Sequence, residues 1–219
     1  MKGELIRRAT PVDIPFLVEA IVSAEKSGTD RCGLATLFGQ SEAQVRTHIA
    51  AMLNEEVDGC ELSVSSFLVS VVDGEPAAAV AGWVEGWQDD LPSGLLKSNL
   101  IGATFAPEAL EHLRHHADVL AGIRVERDKD TLQLDYVFTA DRFRGMGCAA
   151  RLIEAHLRLA RTIMPPWSKA QVQAFSGNVR AIRVYERLGF TVVRKFAALH
   201  PRVTDFLPSA EKVLLERAL

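Results

Sequence analysis

The chain has 219 residues, 48% hydrophobic and 24% charged, which is enough apolar material for one domain or one domain with an insertion. A net charge of −3 gives no overall field toward nucleic acid or an anionic membrane, so neither partner is expected. No apolar run approaches the roughly 18 residues of a membrane span, no apolar stretch follows the basic start, and Cys32, Cys60 and Cys148 are too scattered for a disulfide framework or zinc knuckle. A cytoplasmic location is the expectation.

Residues 4–8 read as a first strand. Thr10, Pro11 and Asp13 form a helix start, with Phe16, Leu17 and Ile21 recurring at helical spacing behind it. Ser41 and Gln44 form a second capping box ahead of Val45, His48, Ile49, Met52 and Leu53. Residues 66–72 and 77–85 read as a hairpin turned at Asp73-Gly74. The small side chains Ala77, Ala78, Ala79, Ala81 and Gly82 predict close packing on the return strand. Residues 86–130 are the least patterned: a loop to about Gly94, a helix from Pro107 to about Leu120, and a charged turn.

Beyond this stretch, residues 131–139 read as a strand with Leu132, Leu134, Tyr136 and Phe138 on one face. A glycine turn and a helix to about Ile163 follow, ended by Pro165-Pro166. Residues 169–175 are a strand, 178–188 a helix stopped by Gly189, and 191–196 and 212–216 the closing strands. The whole is an α/β layered domain.

The turn Arg142-Phe143-Arg144-Gly145-Met146-Gly147 sits between a strand and a helix, where unpaired N–H groups and a partial positive charge meet. Glycines there let a phosphate approach the backbone, or simply allow a tight turn. A P-loop is excluded, because Gly147 is followed by Cys148-Ala149 with no lysine. The spacing Gly145, Gly147, Ala150 satisfies the dinucleotide pattern. Against that pattern, a polar segment separates the turn from its strand, and Phe175 is followed by Ser176-Gly177-Asn178 with no acid for a ribose.

Arg142-x-x-Gly145-x-Gly147 resembles the Q/R-x-x-G-x-G/A signature of the GNAT acetyltransferases. A second block, Asn178-x-x-Ala181-x-x-x-Tyr185-x-x-x-Gly189-Phe190, resembles that family's later helix, at the right distance and with a strand between. The resemblance implies the GNAT fold over residues 1–219 as a single domain with an insert at about 86–130. That fold is a central mixed, mostly antiparallel twisted sheet of about six or seven strands flanked by about four or five helices, in the order β-α-α-β-β-(helical insert)-β-α-β-α-β-β.

It further implies N-acetyl transfer from acetyl-CoA to a primary amine of a small molecule or peptide, by direct attack in a ternary complex and without a metal. The alternative is a silent acyl-CoA sensor with the same fold. Pairing through late strands, common in the family, implies a possible homodimer. The family pattern assigns the pyrophosphate to the backbone of Phe143, Arg144, Gly145, Met146, Gly147, Cys148 and Ala149, with Arg142 and Arg144 adding positive charge, and the pantetheine arm to Val137, Phe138 and Thr139. Asn178 is the matching side-chain partner or simply a helix cap. Tyr185 matches the tyrosine near the departing sulfur, or is a core residue.

A phenol of pKa about 10 facing a thiol of about 8.5 makes full proton transfer uphill by roughly 2 kcal/mol, so hydrogen-bond donation is the better description. A lysine-like acceptor amine costs about 4.6 kcal/mol to deprotonate at pH 7, an α-amine only about 1. Asp135 and Glu85 are the candidate bases, or else ordinary strand carboxylates. Asp30, Trp83 and Trp87 are candidates for the acceptor pocket. His112, His115 and His116 share a helix face, more readily a solvated face than a metal site, and Cys148 reads as a packing residue.

Overall fold

The computed structural model describes residues 3–87, 90–162 and 168–219; the expected loop at 88–89 and the helix end at Pro165-Pro166 lie outside them. The strands are β1 Glu4–Arg8, β2 Phe67–Val72, β3 Glu75–Val84, β4 Leu132–Thr139, β5 Lys169–Phe175, β6 Thr191–Ala197 and β7 Glu211–Ala218. The helices are α1 Ile14–Lys26, α2 Gly33–Leu37, α3 Glu42–Asn54, α4 Ser93–Thr104, α5 Pro107–His115, α6 Cys148–Thr162 and α7 Val179–Arg187. One sheet of order β1-β2-β3-β4-β5-β7-β6 runs through them, and β4 with β5 is its parallel pair.

Both capping boxes form. The backbone N–H of Thr10 donates to the Asp13 carboxylate at 2.8 Å, and that of Gln44 to the Ser41 hydroxyl at 3.3 Å. Arg7 clamps Asp13 from β1 at 2.7 and 2.8 Å, fixing the entry into α1. Two layers of apolar side chains cover the sheet. On the front face α1 to α5 pack on Val69, Ala79, Ala81, Tyr136 and Phe138; on the back face α6 and α7 pack on Ala78, Val80, Leu132, Leu134 and Val172.

Three expectations change in the structure. The helix expected from Pro107 to about Leu120 breaks at His116 into α5 and a 3-10 turn, Ala117–Leu120. Helices α2 and α4 had no sequence signal: α2 is barely one turn, and α4 carries two glycines and buries only Ser93 and Leu100. Finally, Leu132, Leu134, Tyr136 and Phe138 do not share one face. Between the pairs Ala81↔Asp135 and Ala79↔Phe138, the two residues Tyr136 and Val137 oppose the single Val80. This is a β-bulge with Tyr136 at φ +48, and it turns Tyr136 and Phe138 to the front while the leucines stay behind.

The small residues of β3 are closely packed, as their sizes suggest. A Cβ at Gly82 would lie 2.4 Å from Nδ1 of His156, whose Nε2 sits 3.0 Å from the carbonyl oxygen of Val80, the residue facing the bulge. Burial lowers the pKa of His156 to about 4. The unfolded chain takes up this proton near pH 6.5 and the folded one only near 4, so stability falls as pH drops through that window, by about 3 kcal/mol from this residue. Urea titrations at pH 7 and pH 4 should show this loss in the wild type and not in His156→Gln; parallel losses in both would contradict it.

Candidate active site

Parallel pairing of β4 with β5 extends only over Leu132–Leu134 against Ala170–Val172. Past that point β5 stays on β7 as far as Phe175↔Lys212, while β4 bends away at the bulge, so a wedge opens between the two strands. The N–H of Ala140 donates to the carbonyl of Ala77 at 2.9 Å. Strand alternation then turns the N–H groups of Val137 and Thr139 away from β3, into the wedge, and that of Phe138 toward β3. At the apex, Asp135 accepts from Gln173 at 3.0 Å, from Arg127 at 3.2 Å and from the N–H of Tyr136 at 2.8 Å. The last bond ties the carboxylate to the bulge itself.

The wedge leads to the start of α6. Among the described residues, the N–H groups of Gly145, Gly147, Cys148, Ala149 and Ala150 find no acceptor, and no side chain caps the helix. Gly145 and Gly147 have φ of +81 and +78, a conformation that favours glycine, and a Cβ at Gly145 would meet nothing within 4 Å. Orphan donors around open space at a helix mouth suit a diphosphate, so the residues present fit coenzyme A.

The two arginines of the turn are engaged elsewhere. Arg142 pairs with Glu75 and lies 4.6 Å over the Phe143 ring, and Arg144 pairs with Asp141 at 2.7 Å. These exposed pairs are weak enough to be exchanged for a phosphate. Arg151, which no sequence pattern singled out, lies over the mouth, donating to the carbonyl of Met146 at 2.8 Å while pairing with Glu4. Cys148 is buried in the back core, and Met146 is exposed.

Asn178 does two things at once. Its side-chain oxygen accepts from the N–H of Ala181 at 3.2 Å, capping α7, and its amide donates to the Ser27 hydroxyl at 3.1 Å, linking α7 to the end of α1. Tyr185 is buried against Phe190, and its hydroxyl has no hydrogen-bond partner among the described residues. Burial, helped by the Asp135 charge, raises its pKa, so it remains a donor at any ordinary pH.

Glu85 is buried and fully engaged, accepting from Trp83 Nε1 at 3.2 Å and from the Ser93 N–H and hydroxyl at 2.8 and 2.6 Å. It anchors the first turn of α4. Around it lies a charged network that the sequence did not disclose. Arg127 stacks 4.8 Å over Trp83 and pairs with Glu61 and Asp135, both at 3.2 Å, while Lys97 donates to the Tyr136 hydroxyl at 2.9 Å and lies 3.4 Å from Glu61. Burial alone would raise the Glu61 pKa, but Arg127 and Lys97 outweigh it and hold the carboxyl low. Glu25, on the last turn of α1, carries no hydrogen bond or ion pair among the described residues, and burial raises its pKa.

The three candidate acceptor residues are not brought together. Asp30 lines a cavity of about 570 Å³ between the α1–α2 loop and Thr204, Leu207 and Pro208, whereas Trp83 and Trp87 line another of about 310 Å³ with His156. His112 and His116 stack with ring centroids 4.4 Å apart, and His112 packs on Gly39. Among the described residues no group of three or more His, Cys, Asp or Glu side chains is placed to hold a metal, and no helix is long and apolar enough to cross a membrane.

These features are those of an acetyltransferase fold. The family model described as Acetyltransferase (GNAT) family matches residues 40–190, more than half of the chain, and the chain belongs to that family. It is a GNAT-family N-acetyltransferase. An N-acetyltransferase from Staphylococcus aureus Mu50 superposes with a TM-score of 0.69 at 15% identity, over 97% of this chain and 100% of that one. An agmatine N-acetyltransferase gives 0.60 at 14%, over 99% of both chains. The ribosomal-protein-alanine N-acetyltransferase of Brucella melitensis gives 0.55 at 15%, over 98% and 99%. At these identities the likeness speaks for the fold. No curated protein sequence matches this one.

Replacing Asn178 by Ala removes the α7 cap and should cost about 1 kcal/mol in urea unfolding. Ser27→Ala, which leaves the cap intact, should cost less; equal losses would place the weight on the inter-helix link instead.

Proposed function

We propose that this protein transfers the acetyl group of acetyl-CoA to a primary amine of a small molecule or peptide by direct attack in a ternary complex. The observation that carries the reading is two sets of amides without an acceptor among the described residues, one on the β4 edge beyond Leu134 and one at the α6 mouth to which the wedge leads. In this reading the N–H groups of Gly145, Gly147, Cys148, Ala149 and Ala150 hold the diphosphate, with Arg142, Arg144 and Arg151 near enough to add charge, and those of Val137 and Thr139 hold the pantetheine arm. Acetyl-CoA supplies an activated thioester. A strand N–H facing its carbonyl oxygen is fixed before reaction and needs no reorganisation as charge develops there.

The acceptor nitrogen forms a bond to the carbonyl carbon, the carbon–sulfur bond breaks, and the amine loses a proton. Glu25 is the carboxylate we assign to receive that proton. Glu85 spends its oxygens on Trp83 and Ser93, and Asp135 spends its own on Arg127, Gln173 and the bulge. Of the three, Glu25 has no hydrogen-bond or ion-pair partner among the described residues, and its raised pKa makes it the stronger base. Tyr185 donates a hydrogen bond to the departing sulfur.

Thiol release over an amine panel, together with thermal melts in added CoA, tests the reading. CoA should raise Tm, and Tyr185→Phe should lower kcat at least about 10-fold while leaving CoA protection intact. Protection without thiol release on any amine would mean a sensor instead, and no protection at all would remove the donor site.

Because the Glu25 pKa is raised and the working form is the carboxylate, kcat/KM should rise with pH along a limb lying above the ordinary carboxylate range. Glu25→Gln should abolish that limb and lower kcat by about 100-fold. An unchanged profile in the variant would exclude Glu25 as the base.

A further inference from the structure

On the front of the sheet, beside the wedge, Glu25 of α1, Lys97 of α4, Asp135 and Tyr136 of β4 and Lys212 of β7 act on one another electrostatically. Most of this group is internally matched. Lys97 is held by Tyr136 and Glu61, and Asp135 by Arg127 and Gln173. Two members are not. Among the described residues neither Glu25 nor Lys212 makes a hydrogen bond or ion pair, and they do not pair with each other, although each is the other's opposite charge nearby. Both remain partly open to solvent. The ammonium of Lys212 lies 4.7 Å over the Phe175 ring, which keeps it on the front face where β5 borders the wedge.

We propose that the acceptor is a small amine bearing its own carboxylate, a free amino acid in the chemical sense, whose carboxylate pairs with Lys212 while its amine faces Glu25. The inference rests on the acetyl-transfer reading above and adds the class of acceptor. One unmatched carboxylate and one unmatched ammonium close together on the front of the sheet are complementary to a zwitterion. A diamine or polyamine would set its second cation against Lys97, Arg127 and Lys212, and a peptide α-amine, its carboxyl tied up as an amide, would leave Lys212 unmatched. Burial and the neighbouring Lys97 and Arg127 lower the Lys212 pKa, a direction that an incoming carboxylate reverses.

The experiment compares, in the thiol-release assay with acetyl-CoA, free amino acids with their amides and with the corresponding decarboxylated amines. Wild type should favour the acids by at least about 10-fold in kcat/KM, mostly through KM. Lys212→Met should reduce the acid-to-amide ratio to near one, and Lys212→Arg should restore part of it. Amides or decarboxylated amines turned over as well as acids, or a Lys212→Met variant with the wild-type ratio, would overturn the carboxylate assignment while leaving acetyl transfer standing. No release on any amine would overturn both.

Discussion

The structure depends on one irregularity, the bulge at Tyr136 and Val137. A regular β4 would pair with β3 on one side and β5 on the other along its full length, and every backbone donor would be used within the sheet. The extra residue bends β4 away after Leu134, ends the parallel pairing, and leaves amides facing a wedge. A non-glycine residue at positive φ is costly, and the surroundings over-determine it. Asp135 accepts the Tyr136 N–H, Lys97 holds the Tyr136 hydroxyl, Phe67 stacks on its ring at 6.4 Å, and His156 fills the space that Gly82 leaves behind Val80.

Those restraints come from distant parts of the chain, which explains the role of the 86–130 segment. Its Ser93 binds Glu85, its Lys97 reaches Tyr136, and its Arg127 joins Glu61, Ser93 and Asp135. Buried charges are expensive unless paired, and removing one partner from such a group strands the others. One oxygen of Glu61 is buried with no partner among the described residues, so even this network is not fully satisfied. The segment is therefore a structural support for the central strand, and α4 needs little amphipathic character of its own because its Ser93 and Lys97 contacts hold it.

Legibility in the sequence followed the range of the interactions. β5 was readable to the residue because strand propensity and local alternation set it, and the two capping boxes because each closes within four residues. The glycines of the turn were readable because positive φ selects glycine. Helix α4 was not, since its two glycines and unfocused apolar pattern are offset only by tertiary contacts. Asp135 on β4 and Glu85 just past the end of β3 were visible as acids, but their partners, Arg127, Gln173 and Ser93, are set by folding. Glu25 and Lys212 carry no motif, and their being left unmatched is set only by folding.

By itself, then, the sequence determined the order of the strands and of helices α1, α3, α6 and α7, the glycine turn before α6 and the family to which the chain belongs, because these rest on caps, glycines and short periodicities whose physics is local. Only the tertiary structure decided where β4 bends, which face Tyr136 takes, and which carboxylates are matched and which stand open. Those outcomes depend on long-range pairing and on the cost of burying charge, and neither is written in any short stretch of residues.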